Sequence, residues 1–254
     1  GSSNCLLSQG VPAQSLIALS SLECYNPQRR EWHSLPPMKY GRYSAVCATH
    51  QNRFYIASGA CGGGEGHEMN TAEVFDPDAC KWQELARMSI SRAFAVSATL
   101  HGFLYVIGGL RTPSLLRAVE RYDFARKVWE PLPPTKLERC GASAHALPRT
   151  GRIYVCGGGS VNCFNNGGSP GSHIGSIESF HPAIGRWEVM KPMAHSRSFA
   201  STVAVANHLY IFGGHDESRI LKYAERFNLT NGASETLVPM EDLRLGACAV
   251  FLPI

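Results

Sequence analysis

The stretch Glu120-RYDFARKVWEPLPPTKLE-Arg139 recurs along the chain and decides its fold. In every copy an Arg follows 19 residues after the Glu: Glu23 to Arg42, Glu73 to Arg92, Glu120 to Arg139, Glu178 to Arg197, and Glu225 to Arg244. Nine residues after the Glu stands Trp32, Trp82, Trp129 or Trp187, and in the fifth copy Ser234. Tandem self-similarity of this kind is typical of architectures in which each unit packs against the next.

Each unit carries the pattern of four short strands. In the third copy, AFAVSATL and FLYVI flank a turn at His101-Gly102, which predicts a hairpin. After the glycine pair Gly108-Gly109 a loop is expected up to Ala118, followed by a third strand in VERYDF and a fourth from Val128 to Leu132. Because no segment has helical periodicity, four antiparallel strands per unit of 47 to 58 residues predict an all-β fold of propeller blades.

The two ends of the chain determine the predicted number of blades. Residues 4–38 contain a Glu23 to Met38 segment without a first strand, and residues 244–254 resemble a first strand with nothing after it. If the two ends complete one blade between them, no sheet edge stays exposed. We therefore expect one domain over residues 1–254, a five-bladed propeller closed by this shared blade, with the remaining blades at 42–88, 92–135, 139–193 and 197–240.

The repeated motif resembles the kelch repeat, which combines an Arg, a small-residue strand, Y-x-x-G-G, E-x-Y-D/N-P, a Trp and L-P-P-M. The copies are ECYNP (23–27), EVFDP (73–77), ERYDF (120–124), ESFHP (178–182) and ERFNL (225–229). The resemblance covers almost the whole chain. It implies a five-bladed kelch β-propeller similar to the C-terminal domain of BTB-kelch (kelch-like) adaptor proteins.

The repeated Glu and Arg have a structural interpretation. A carboxylate within a strand of aromatic residues is costly to bury unless it is paired. We therefore expect the Glu and Arg residues to bond each other or nearby backbone, within or between blades. The repeated Tyr and Trp are expected to pack between adjacent blades.

Candidate binding residues fall in the segments of unequal length. From the glycine pair (Ser58-Gly59 in the second copy) to the next Glu the spacing is 15, 12, 21 and 12 residues. These loops and the links before each Arg should emerge at one end of the blades, and variable loops often carry specificity. In kelch adaptors, partner peptides are gripped just after the Arg and just after the glycine pair. The resemblance thus points to Tyr43, Ala93, Cys140, Ser198 and Leu245, and to Ala60, Leu110, Gly159 and His215.

The expected partner-binding set takes five of these nine positions, adds neighbouring loop and link positions, and contains both apolar and cationic side chains. Its members are Tyr43, Ser44, Phe94, Arg111, Cys140, Asn162, Asn165, His195, Ser198, His215, Arg219 and Leu245. Several are apolar where acid-binding kelch proteins have Ser or Asn, so the preference between acidic and apolar peptides stays open.

Composition narrows the classes of partner. The net charge is +4 and charged residues make up 17% of the chain, without Lys/Arg runs, which argues against nucleic acid. No apolar run reaches the roughly 18 to 20 residues of a membrane span, and no signal peptide pattern is present. The nine cysteines lack C-x-x-C spacing, which favours a reducing location, in the cytoplasm or also the nucleus.

Enzymatic interpretations find little support in the motifs. No G-x-G-x-x-G opens a helix, so a dinucleotide site is not expected. Cys61, His67, His195 and His215 could approach one another on the loop face, but without metal-ligand spacing. The copper cluster of the oxidase that shares the fold and the sialidase boxes have no counterpart. We expect no catalytic residue, metal or cofactor.

Two binding functions remain. The first is capture of a target peptide or surface as the substrate-recognition module of a cullin-RING ubiquitin ligase adaptor, whose BTB region would lie outside this chain. The alternative is a cytoskeletal scaffold that binds actin over a broad surface. Unequal loops at one end favour the first.

Overall fold

The computed structural model describes residues 17–62, 67–159, 173–216 and 218–249. The described residues form β-strands, turns and loops. None of these residues lies in a helix long and apolar enough to cross a membrane. The strands are β1 (Leu22–Asn26), β2 (Glu31–Leu35), β3 (Val46–His50), β4 (Arg53–Ala57), β5 (Ala72–Asp76), β6 (Lys81–Glu84), β7 (Val96–Leu100), β8 (Phe103–Ile107), β9 (Leu110–Arg111), β10 (Ser114–Leu115), β11 (Val119–Asp123), β12 (Val128–Leu132), β13 (Ser143–Leu147), β14 (Arg152–Cys156), β15 (Ile177–His181), β16 (Arg186–Val189), β17 (Ser201–Val205), β18 (His208–Phe212), β19 (Ala224–Asn228) and β20 (Ser234–Thr236).

Four antiparallel sheets of four strands follow one another along the chain. Their strand orders are β3-β4-β5-β6, β7-β8-β11-β12, β13-β14-β15-β16 and β17-β18-β19-β20. The predicted hairpin is present, since β7 and β8 pair from Val96↔Ile107 to Leu100↔Phe103 around the turn at His101-Gly102. One detail differs from expectation: part of the loop after Gly109 forms the two-stranded ribbon β9-β10.

The core lies between the sheets. Along β8, Leu104 and Val106 face the preceding sheet, where they join a cluster that includes Tyr55 and Val74. Tyr105 and Ile107 point to the opposite face and pack against the following sheet. Because alternate side chains of a strand point to opposite faces, every inner sheet needs a neighbour on each side. This two-sided burial is the packing of a propeller.

Buried ion pairs tie these sheets together in the expected way. Arg139 Nη2 donates to Glu178 Oε1 at 2.6 Å, and its Nη1 donates to the Gly157 carbonyl at 2.7 Å. The other oxygen of Glu178 accepts the Lys136 amide at 2.7 Å, from the link before the Arg. The same arrangement recurs in Arg42–Glu73 and Arg92–Glu120 and, at 3.7 Å, in Arg197–Glu225.

The repeated aromatics also join neighbouring blades. The indole N–H groups of Trp82, Trp129 and Trp187 each donate at 2.8 Å to a carbonyl of the preceding repeat. In the fifth copy, Ser234 donates instead to Glu225 at 2.9 Å. The position therefore keeps a bonding role when the Trp is absent.

The expected fifth blade is not completed within the described residues. There, the first copy contributes only the two-stranded sheet β1-β2, and residues 244–249 form no strand. A strand needs a hydrogen-bonded neighbour, and within the described part of the chain β1 pairs with β2 alone. Residues 4–16 and 250–254 of the expected shared blade lie outside the described residues.

The Glu of the first copy and the Arg of the fifth also differ from the expected pairing. Glu23 is exposed, and Arg244 donates to Asp242 at 3.1 Å. Their separation follows from the incomplete blade, because in the other copies the Arg and its Glu meet across one complete sheet.

Candidate functional site

The residue after each repeat Arg lies beside the residue after the glycine pair. Isolated bridges join Tyr43↔Ala60, Ala93↔Leu110, Cys140↔Gly159 and Ser198↔His215. The pairing is reciprocal: for example, the Tyr43 amide donates to Ala60 at 2.9 Å and the Ala60 amide donates back at 3.0 Å. Both residues of the glycine pairs 108–109, 157–158 and 213–214 have positive φ, which glycine adopts without strain, so the chain can turn here.

A third segment joins each pair, five residues before the repeat Glu. Its members Glu68, Leu115, His173 and Ile220 bridge to Ala60, Leu110, Gly159 and His215. The twelve residues of these three-segment groups are called the mouth below. The sequence analysis did not predict the third segment. Its constant position, five residues before each Glu, is the feature of the sequence from which it could have been predicted.

A series of backbone hydrogen bonds runs beside the mouth. It joins the residues two positions after each Arg: Phe94 N donates to Ser44 O, Gly141 N to Phe94 O, Phe199 N to Gly141 O and Gly246 N to Phe199 O. All five residues have positive φ, between 50° and 60°. Each repeat thus contributes one residue to a common centre.

Aromatic side chains fill this centre. The rings of Tyr43 and Phe94 lie 6.4 Å apart, and those of Phe94 and Phe199 lie 6.2 Å apart in an edge-on arrangement. Leu115 and Cys140 complete the same apolar cluster. The Tyr43 hydroxyl donates to the Gly62 carbonyl at 2.8 Å, and burial raises the pKa of Tyr43. The centre of the mouth is therefore apolar and packed.

The expected binding residues separate by exposure. Arg111, His195 and Arg219 are exposed, Ser44, His215 and Leu245 are half-buried, and Tyr43, Phe94, Cys140 and Ser198 are buried. Asn162 and Asn165 lie outside the described residues. The structure brings the residue after each Arg beside the residue after each glycine pair, as the spacing predicts. The exposed members of the expected set, Arg111, His195 and Arg219, are called the rim below. The role of the set in binding stays a prediction.

A polar corner occupies one side of the mouth. Ser198 Oγ and His173 Nδ1 lie 3.0 Å apart, and the rings of His173 and His215 are 5.3 Å apart. Burial lowers the pKa of His215 against a smaller opposing effect of Asp216. The lowered pKa favours the neutral imidazole, which can donate one hydrogen bond and accept another.

Two predicted residues meet around Tyr223 at the rim. His195 stacks on its ring at 6.0 Å, and the Arg219 guanidinium lies 5.6 Å from the ring centroid. On the other side, Glu68 accepts hydrogen bonds from the amide and hydroxyl of Thr112 in the next repeat. Neighbouring loops thus support each other and hold the rim in place.

The four residues named as possible neighbours on the loop face do not form a metal site in the structure. Among the described residues, no group of three or more His, Cys, Asp or Glu side chains could hold a metal ion. His195 turns to Tyr223, whereas His215 lies beside His173.

Stability should fall on mild acidification. Burial lowers the folded-state pKa of both His145 and His215, whereas the unfolded chain titrates near 6.5. The unfolded state then takes up protons first as the pH drops through about 6.5, so the free energy of unfolding decreases. Carboxylates with lowered pKa values, such as Asp123 and Glu130, lose their contribution only at lower pH, below their unfolded values of about 4.

Urea unfolding at about pH 7.5 and about pH 5.5 tests this expectation. The midpoint should drop in the wild type and drop less in His145→Gln. His101→Gln, at an exposed turn, serves as the matched control. A midpoint that is equal at both pH values would contradict the expected proton uptake.

Comparisons with known proteins agree with this geometry. The family model described as "KLHDC2/KLHL20/DRC7 Kelch-repeats domain" matches residues 10–214, and the Kelch motif model matches residues 196–241. The chain is 25% identical to mouse (Mus musculus) Kelch-like protein 35 over 242 residues, and 24% identical to human (Homo sapiens) Kelch-like protein 23 over 201 residues. These alignments cover 94% and 78% of this chain but only 39% and 32% of the relatives.

Among solved structures, the one titled "Structure of YjhT" superposes with a TM-score of 0.71 at 16% identity. The superposition covers 86% of this chain and 75% of that chain. This likeness concerns the fold alone. Repeated Glu–Arg pairs, sheets packed face to face and a family model that covers most of the sequence lead to one conclusion: this chain belongs to the kelch-repeat family.

Proposed function

We propose that this chain is a protein-interaction domain that captures a peptide or surface of a target protein at its mouth. One observation carries the proposal. Four repeats each hold three backbone segments side by side at one end, on a scaffold tied by buried ion pairs. Arg111, His195 and Arg219 extend from this end with exposed side chains. A rigid platform with variable rim groups suits recognition of another protein.

The role in a larger assembly is part of the same proposal. The chain spans less than two fifths of the kelch-like relatives it matches. We propose that it serves as the substrate-recognition module of a cullin-RING ubiquitin ligase adaptor in the cytoplasm or nucleus, with the cullin engaged by a BTB region outside this chain. The domain binds without catalysing a reaction and needs no cofactor.

Five blades in a closed ring belong to this proposal as well. The hydrogen-bonded series Ser44, Phe94, Gly141, Phe199 and Gly246 takes one residue from each repeat, which supports a count of five. Closure would bring Leu245, which directly follows Arg244, to the mouth.

Charge reversal at the rim tests the binding proposal. Partners are first identified by affinity capture and mass spectrometry, and the bound segment is then mapped with synthetic peptides. Arg111→Glu and Arg219→Glu should each weaken binding of that peptide by about tenfold or more, because each replaces an attractive charge with a repulsive one. Arg149→Glu is the matched control, since Arg149 is an exposed cation at the opposite end of its blade, in the β13–β14 turn.

The controls separate the alternatives. Equal peptide binding by both rim variants, with folding intact, would contradict the mouth as the binding end. Cosedimentation of the wild-type domain with actin filaments, without any ligase partner in the capture, would support the cytoskeletal role instead.

A further inference from the structure

The sheet β17-β18-β19-β20, called the last sheet below, differs from the other three complete sheets at its buried ion pair. In those sheets the Arg Nη2 and the Glu Oε1 lie 2.5 or 2.6 Å apart, whereas Arg197 Nη2 and Glu225 Oε1 are 3.7 Å apart. Within the described part of the chain, neither of these two buried atoms has a hydrogen-bond partner. Arg42, Arg92 and Arg139 lack a partner only at Nε, which is not the nitrogen that meets the carboxylate. The last sheet therefore contains the loosest of the four pairs.

The loose pair coincides with the loss of the repeat Trp. Ser234 stands at the Trp position, and its hydroxyl donates to Glu225 Oε2 at 2.9 Å. The same oxygen accepts the Ala194 amide at 2.9 Å, so both bonds hold one side of the carboxylate and leave Oε1 away from Arg197. A polar group that is buried without a partner destabilises the folded state. The change from Trp to Ser thus accompanies a weaker pair within the sheet.

The contact with the preceding repeat is weaker as well. Elsewhere the Trp indoles donate to the carbonyls of Pro36, Ala86 and Pro133, and the residue at this repeat position before the last sheet is Lys191. The exposed Lys191 lies against Gly232, since a Cβ added there would be 2.8 Å from the lysine Cδ. A flexible lysine stem loses more rotamer freedom when it is fixed than a rigid indole does. The outer strand β20 is also short, with three residues where β6, β12 and β16 have four or five.

Position in the series of sheets does not account for these differences. The sheet β3-β4-β5-β6 is the first of the series, and alternate side chains of β4 are only half-buried, as they are in β18. Nevertheless, Arg42 Nη2 donates to Glu73 at 2.5 Å, and Trp82 donates to the preceding repeat at 2.8 Å. The first sheet is therefore the matched comparison for the last sheet.

We propose that the last sheet opens as a unit while the rest of the chain stays folded, and that this opening gives the mouth a second, open form. Units with few stabilising contacts open locally below the free energy of global unfolding. The mouth residues Ser198 and His215 belong to this unit, and His173 of the preceding repeat holds them by the Ser198 Oγ contact at 3.0 Å and by ring packing at 5.3 Å. Opening breaks these contacts and exposes Ser198, which is buried in the closed form.

Native-state hydrogen exchange of the full chain tests the proposal without any ligand. Ile211 pairs with Glu225 across β18 and β19, and Ile56 pairs with Glu73 at the same positions of the first sheet. At low urea concentration the amides of Ile211 and Glu225 should exchange about tenfold faster or more than those of Ile56 and Glu73. Their exchange should also depend less on urea, because opening of one sheet exposes less surface than global unfolding.

The thiol of Cys156 provides a second readout. Cys156 lies on β14, where it packs against Leu209, Ile211 and Phe227 of the last sheet, and burial raises its pKa to about 12. Iodoacetamide therefore alkylates it only after an opening, since the thiolate is the nucleophile. Ile107→Cys is the matched control, because Ile107 has the same repeat position and packs against the sheet β13-β14-β15-β16. It should react about tenfold more slowly than Cys156, although this substitution itself lowers stability.

A repair variant reverses the two substitutions of the junction. Ser234→Trp combined with Lys191→Pro restores the residues found where Trp187 meets Pro133. If the variant regains the indole bond, exchange at Ile211 and alkylation of Cys156 should slow by about threefold or more.

Each measurement has an outcome that overturns the proposal. In the wild type, these are equal exchange in the first and last sheets, exchange of Ile211 only through unfolding of the whole chain, and alkylation of Cys156 no faster than that of the Ile107→Cys control. A folded repair variant with unchanged exchange would overturn it too. The wild-type results decide the question even if the repair variant does not fold.

Discussion

Arg139→Ala is expected to lower the free energy of unfolding by about 3–5 kcal/mol, the cost of leaving a buried carboxylate without its cation. Arg139 and Glu178 are both fully buried, and their atoms approach to 2.6 Å. The alanine also removes the donor to the Gly157 carbonyl, so a second buried acceptor loses its partner. Equilibrium urea unfolding, followed by tryptophan fluorescence, measures the loss.

Two comparison variants show that burial is the cause. Arg152→Ala breaks the partly exposed pair with Glu188 and should cost much less than Arg139→Ala. Arg139→Met combined with Glu178→Leu removes both charges and should recover part of the loss, because no unpaired ion remains. If Arg139→Ala is as stable as Arg152→Ala, the buried pair does not hold the blades together.

Gly157→Ala is expected to lower the free energy of unfolding by about 3 kcal/mol or more, from backbone strain and overcrowding together, and to distort the neighbouring repeat. Gly157 has φ of 65°, which is strained for a residue with a Cβ by about 1–2 kcal/mol. The added Cβ would also lie 2.3 Å from the carbonyl oxygen of Arg197, which is backbone and cannot turn away. The clash therefore moves Arg197, whose guanidinium donates to Gly213.

Gly102→Ala separates conformational strain from crowding. Its φ is 82°, but no atom lies within 4 Å of the added Cβ, so only the strain of about 1–2 kcal/mol applies. Thermal and urea unfolding of both variants provide the comparison. Equal losses would show that the close approach of the two repeats at Gly157 is not maintained in solution.

The spacing of Glu and Arg predicted buried ion pairs but not their partners. The constant 19-residue separation of Glu120 and Arg139 suggests a unit, yet Glu120 pairs with the earlier Arg92, and Arg139 pairs with the later Glu178. The reason is that an Arg enters its blade at the first strand and meets the Glu of the third strand of the same sheet. Constant spacing follows from the link between blades, whereas pairing follows from strand order.

Burial within the mouth could not be predicted from residue type. The positions after the Arg and after the glycine pair do lie together, because both segments leave the sheet at the same end. Tyr43 and Ser198 are nevertheless buried, and Arg111 is exposed, depending on which side of the bridging strands each side chain occupies. The third segment with Glu68 and His173 was found only in three dimensions.

The sequence by itself determined the repeat, the strands of each unit and the need to pair its buried charges, because these depend on local spacing and on the cost of burying an ion. Only the tertiary structure decided which Arg meets which Glu, which mouth residues reach solvent, and that residues 244–249 form no strand. Those outcomes depend on which segments become neighbours once the sheets pack around a common centre. A hydrogen bond or buried face requires a partner in space, and the order of residues along a chain does not supply one.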